Sequence, residues 1–127
     1  MNVAVHVVFV PLIYATSIIM AGLLPKIPLA SNLPLLSVAD IGVALYSIGY
    51  ILLEPVAGIL MLPFHLGCAY AAHILPTVYS RDTILKYALT SHVSAWIAQF
   101  AGHGLAEGRA PALFANLFQV SYLFTLV

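Results

Sequence analysis

Charge is what this chain has least of. Only 6% of its 127 residues are Asp, Glu, Lys or Arg, four of each sign, and the formal net charge is zero. Soluble domains carry roughly 25% charged residues, so this supply cannot cover a water-facing surface. The balance also excludes the basic footprint of a nucleic-acid binder and leaves no polybasic stretch for anionic lipid headgroups. Cysteine is almost absent too. Cys68 stands alone in an apolar run, which excludes a disulfide framework and a paired-cysteine metal site. No positive charge precedes the first apolar stretch after Met1-Asn2, so that stretch reads as a retained membrane helix rather than a secretory signal.

What is present is apolar: 63% of residues are hydrophobic and mean hydropathy is +1.08. The expectation is an integral membrane protein, an all-α polytopic bundle of about five apolar helices forming one domain over residues 1–127. A span needs about 20 apolar residues. Candidate segments run over 3–24, 37–53, 56–78, 84–101 or beyond, and 111–127, the last barely long enough. "PKIPLASNLP" reads as a loop by its prolines and polar residues. Glu54-Pro55 reads as a tight helical hairpin, and "YSRDT" as a turn with Asp82 or Thr83 as N-cap. Lys26, Arg81 and Lys86 fall on one side and Arg109 on the other, which by the positive-inside rule puts the N-terminus away from the cytosol.

Polar residues at membrane depth are costly and are functional suspects by default. His92, Trp96, Gln99 and His103 recur at i, i+4, i+7 and i+11, so all four share one helical face. Neutral imidazole is a common ligand for iron, copper and zinc. On a straight helix His92 and His103 are about 16 Å apart, so they share one ion only if the helix breaks, for which Gly102 and Gly104 offer the place. Ligation and interhelical hydrogen bonding both remain open for these two histidines. Gln99 suits an interhelical or outer-sphere hydrogen bond, and Trp96 packing or an interface anchor. His6 alone reads as a core histidine, His65 and His73 as structural, Glu54 as a turn residue, and Glu107 with Arg109 as a surface pair. Tyr14, Tyr46, Tyr50 and Tyr70 are expected to pack helix on helix. Nucleophile-elbow, phosphate-loop, dinucleotide and H-E-x-x-H patterns are all missing. So are the tight histidine boxes of membrane di-iron desaturases, and any metal site must be assembled from distant segments.

"HVSAWIAQFAGHGLAEGRAPALFANLFQ" closely resembles the C-terminal signature of the Fe(II)-dependent 2-hydroxy fatty acid dioxygenases, small membrane proteins of the endoplasmic reticulum. That signature runs H-x3-W-x2-Q-F-x-G-H-x3-E-x-R-x-P-A-L, and every fixed position from His92 to Leu113 matches. "NVAVHVVFVPL" is similar to the family's other block, N-x3-H-x2-G-x-P-L. Asn2, His6, Pro11 and Leu12 match there, with Phe9 where glycine is usual. "YSIGYILLEPVAGIL" also looks like the family's middle helices.

The resemblance implies one-carbon shortening of 2-hydroxy fatty acids by O2 and ferrous iron, as in phytosphingosine degradation, without haem or 2-oxoglutarate. It implies His6, His92 and His103 as iron ligands, Asn2 and Gln99 supporting them, and Glu107 and Arg109 in catalysis, with Arg109 pairing the carboxylate. The partners it implies are the fatty acid, O2 and the lipid bilayer. The family pattern carries a further histidine upstream of the asparagine matched by Asn2 and continues past the position of Val127, so the expectation is a truncated member. Two other readings follow from the residues. One is a catalytically inactive homologue that binds lipid or a partner. The other is an ion or proton pathway lined by His92, Gln99 and His103, with only Glu54 as an acidic candidate.

Overall fold

The computed structural model describes residues 2–28 and 36–107, with side chains over 5–28 and 36–102. Within them run α1 (Asn2–Gly22), α2 (Val38–Leu53), α3 (Pro55–Val78) and α4 (Arg81–Glu107). Ile27 and Leu36 pair as an isolated antiparallel bridge between α1 and α2. The all-helical expectation holds for these residues, but the count of about five spanning helices does not. Two described helices are long and apolar enough to cross a membrane, Val5–Gly22 and Pro55–Val78. With 16 residues, α2 is about 24 Å long, short of a hydrocarbon core of about 30 Å. The longer α4 has 27 residues, but the polar stripe that makes it interesting also lowers its hydropathy. The segment expected from Pro111 lies outside the described residues.

Local chemistry explains the helix ends. Ser37 caps α2 through a reciprocal pair: its Oγ accepts from the Asp40 N–H at 3.1 Å, and the Asp40 carboxylate accepts from the Ser37 N–H at 3.2 Å. Such a box satisfies two backbone donors that a helix start otherwise leaves open. Only Glu54 parts α2 from α3, and Pro55 opens α3 where its missing N–H costs nothing. The hairpin is therefore as tight as the sequence implied. A Cβ on Gly58 would lie 2.6 Å from the Ile51 Cα and backbone nitrogen, so the two backbones meet where only glycine fits. At the start of α4 the cap is Ser80, whose Oγ accepts from the Thr83 N–H at 3.3 Å, rather than the expected Asp82 or Thr83.

Successive helices alternate in direction. Thr16 meets His92 while Gly102 faces Val5, so α1 and α4 are antiparallel. Ser47 with His65 and Asp40 with His73 set α2 antiparallel to α3. Ile18 against Gly42 and Tyr14 against Tyr46 do the same for α1 and α2. Helix α1 touches all three others and is the hub of the bundle. The core gathers Ile18, Ala39, Val43, Cys68 and Ala72 between α1, α2 and α3. Leu52, Leu53, Leu60, Leu66 and Tyr70 face outward, so Tyr70 does not pack between helices as expected. Lys26, Arg81 and Lys86 come to one end of the bundle, beside the start of α2.

Candidate functional site

His92 is held at both ring nitrogens. The Trp96 indole N–H donates to Nε2 at 3.0 Å, one helical turn away. Nε2 therefore carries no hydrogen, and in the neutral ring the proton sits on Nδ1. Nδ1 lies 2.8 Å from Thr16 Oγ1 on α1. The Thr16 hydroxyl spends its own proton on the Leu12 and Ile13 carbonyls at 2.8 and 3.0 Å, so its oxygen is free to accept. Trp96, His92, Thr16 and a backbone carbonyl thus form one chain of donors with a single direction. It fixes one tautomer, with the lone pair on Nε2. A metal-binding histidine needs the same arrangement, one nitrogen tied by an acceptor and the other left with its lone pair. Here Trp96 occupies that lone pair. From the sequence Trp96 reads as packing or an interface anchor, and Thr16 is not singled out, its one signal being a hydroxyl inside an apolar run.

Geometry separates the expected iron ligands. Helix α4 continues through Gly102 and Gly104 to Glu107, so no break brings His92 and His103 together. His6 and His103 each adjoin the Val5–Gly102 contact, which sets them within about one helical turn of each other along the bundle axis. His92 sits with Thr16, about 15 Å further along α1. Among the described residues no three His, Cys, Asp or Glu side chains gather as a metal centre. Asn2 opens α1 and Glu107 closes α4, but their side chains, like that of His103, lie outside the description. Arg109 lies outside it altogether. Gln99 is 5% exposed on the inward stripe of α4, and neither its Oε1 nor its Nε2 has a hydrogen-bond partner among the described residues.

A second polar centre lies between α1, α2 and α3. His65 is 1% exposed, with Nδ1 2.9 Å from Ser47 Oγ. Rings of Tyr14, Phe64, Tyr46 and Tyr50 surround it at 4.9 to 5.9 Å. The structural reading of His65 stands, and three of the four tyrosines pack as expected. A cleft of about 270 Å³ beside it brings His6 and His65 to one wall-to-wall space with Tyr14 and Tyr50. A larger cleft of about 410 Å³ between α1, α3 and α4 is walled by Ile19, Leu75, Ile84, Tyr87 and Ala88. Thr16 and Ser91 line it next to His92, and its size is that of a small-molecule pocket.

At the opposite end of α3, His73 Nε2 lies 2.8 Å from Asp40 Oδ1. Burial alone would push the Asp40 carboxyl up. The hydrogen bonds from His73 and Ser37 outweigh it and hold the carboxyl below the usual range.

These features define a helical protein with apolar clefts and a histidine-centred polar stripe. The comparisons place it more closely. The family model described as 2-hydroxy-palmitic acid dioxygenase Mpo1-like matches residues 1–125, and the chain belongs to that family. It is similar to the 2-hydroxy-palmitic acid dioxygenase MPO1 of Saccharomyces cerevisiae, with 34% identity over 120 residues. That alignment takes in 93% of this chain and 62% of the yeast protein, so the chain spans under two thirds of its relative's length. No solved structure matches the chain.

Proposed function

We propose that this chain is an Fe(II)-dependent dioxygenase that shortens 2-hydroxy fatty acids by one carbon from within a membrane, that of the endoplasmic reticulum by analogy with the family it resembles. Family membership over residues 1–125 supports the reaction class. The observation that carries the site is the Val5–Gly102 contact, which brings His6 on α1 and His103 on α4 to one level of the bundle. Outward Leu52, Leu53 and Leu60 support burial in lipid, since monomeric soluble proteins rarely expose large contiguous apolar patches.

His6 and His103 would hold iron, because their helices bring them to one level of the bundle. Ferrous iron, when bound, supplies the O2 chemistry that cleaves the bond between C1 and C2. His92 stands about 15 Å along α1 from that level, too far for the same ion in this arrangement. There it ties α1 to α4 through Thr16 and is held on its other side by Trp96. The apolar cleft beside Thr16 accepts the acyl chain and excludes water. Arg109 pairs with the substrate carboxylate as a fork-shaped donor, Glu107 orients it, and Asn2 supports His6.

The test is iron content and 2-hydroxypalmitate consumption on one anaerobic preparation reconstituted with Fe(II), before and after admitting O2. Bound iron and an acid one carbon shorter are the expected result. His6→Ala and His103→Ala should lose iron and turnover, whereas His92→Ala should keep iron and lower the unfolding midpoint. Fatty-acid binding without iron or turnover in the unmodified chain would replace the proposal with the lipid-binding reading.

A further inference from the structure

We infer that Gln99 is the residue that tells a 2-hydroxy acid from an ordinary fatty acid, by pairing both ends of its amide with the ligand's hydroxyl and carboxylate. The inference rests on the substrate class proposed above and assigns a specificity role within it.

The starting observation is an exception. Five polar side chains are buried among the described residues: Thr16, Ser37, Ser47, His65 and Gln99. Thr16 is engaged by His92, Ser37 by Asp40, and Ser47 and His65 by each other. Among the described residues Gln99 has no partner at either amide atom, and the only other buried side-chain polar atom without one is the Tyr14 hydroxyl, a single group that can also turn. Buried polar groups are normally paired, and an unpaired one calls for an explanation. Helix α4 itself offers nothing to this amide. Ala95, one turn before it, is fully buried, and Gly102, three residues after it, is closed against Val5. Gln99 therefore lies between the His92 and Gly102 contacts with α1, on the stretch separating the two histidine levels.

The chemistry of the amide selects its partner. An amide presents one acceptor, Oε1, and one donor group, Nε2–H, on the same planar unit. A 2-hydroxy acid presents the complement on adjacent carbons. Its C2 hydroxyl donates to Oε1 and its C1 carboxylate accepts from Nε2. An unsubstituted fatty acid satisfies Nε2 and leaves Oε1 buried and alone. A site built to pair a ligand hydroxyl discriminates strongly against the analogue lacking it, because its own polar group is left unpaired. Gln99 carries no charge, so it imposes no repulsion on the carboxylate.

Trp96 is the chain's one tryptophan and lies three residues before Gln99, so its fluorescence reports binding directly. The full chain in detergent micelles is titrated with 2-hydroxypalmitate, palmitate and 2-methoxypalmitate, whose ether oxygen cannot donate. The expected result is a preference of about tenfold or more for 2-hydroxypalmitate over palmitate, with 2-methoxypalmitate binding like palmitate. Gln99→Met, of similar length and apolar, should bind all three alike. Without ligand it should melt no lower than the unmodified chain, since it removes an unpaired amide.

Retention of the preference in Gln99→Met, or a clearly lower melting point, would overturn the assignment and leave the substrate class intact. If the variant does not fold, 2-methoxypalmitate binding as tightly as 2-hydroxypalmitate to the unmodified chain would overturn it equally. If the unmodified chain binds neither acid, or both alike, the substrate class falls and this inference falls with it.

Discussion

Replacing Thr16 with Val is the sharpest probe of the His92 site, because valine keeps the shape and removes only the hydroxyl. In the native arrangement His92 Nδ1–H donates to Thr16 Oγ1 at 2.8 Å and Trp96 Nε1–H donates to His92 Nε2 at 3.0 Å. Without the Thr16 oxygen, the ring has two neutral states and neither is satisfied. With the proton on Nδ1, that N–H has no acceptor. With the proton on Nε2, it faces the Trp96 N–H and the indole loses its acceptor instead. One partly buried N–H is stranded either way, at a cost of about 1–3 kcal/mol. Equilibrium unfolding in mixed micelles measures that cost, and nitrogen-15 shifts of the His92 ring report the tautomer.

Thr16→Ser should restore both readouts, since it returns the oxygen. Trp96→Phe should cost less, about 1 kcal/mol, and leave the Nδ1–H tautomer in place because Thr16 still accepts. In Thr16→Val/Trp96→Phe the ring is released from both partners, and the combined cost should fall short of the sum of the single costs, as neighbours in one network do. A Thr16→Val chain with unchanged stability and an unchanged His92 tautomer would refute the reasoning.

Three further outcomes follow from the fold. Gly58→Ala forces a Cβ to within 2.6 Å of the Ile51 backbone and should destabilise by about 3 kcal/mol or more, read as a lower unfolding midpoint with the α2–α3 hairpin lost first. Ser47→Ala deprives the buried His65 Nδ1 of its partner at 2.9 Å and should cost about 1–3 kcal/mol without altering iron content. Asp40→Asn should cost about 1 kcal/mol at neutral pH. Because the Asp40 carboxyl is held below its usual value, its contribution is complete above the unfolded pKa of about 4 and disappears as pH falls through the lower folded value. Unfolding curves of the two proteins should therefore differ at pH 7 and converge in acid.

The helices were legible because apolar runs of spanning length, Glu54-Pro55 and Ser80-Arg81-Asp82 each announce themselves locally. The helical face shared by His92, Trp96 and Gln99 was legible for the same reason, as a periodicity within one segment. Thr16 was not, because what makes it matter is a bond to a residue 76 positions away, and nothing in the first apolar run marks one hydroxyl above another. The continuity of α4 across Gly102 and Gly104 was also hidden. Glycine weakens a helix by only about 1 kcal/mol, and packing against Val5 outweighs that penalty. Ser47 and Asp40 escaped notice in the same way, since their partners His65 and His73 belong to the neighbouring helix.

The joining of Thr16 to His92 gives the protein an order of birth. The α2–α3 hairpin closes through neighbours in the chain, and contacts of that kind form early. Helix α1 precedes α2 and α3 in the chain and yet finds its most extensive neighbour, α4, only after both have been synthesised. Until then Thr16 has its own carbonyls for company and no histidine. Assembly of the His92 site is thus the event that completes the packing of the four described helices. A chain halted after α3 and before α4 holds the α2–α3 hairpin and a first helix still without its histidine partner.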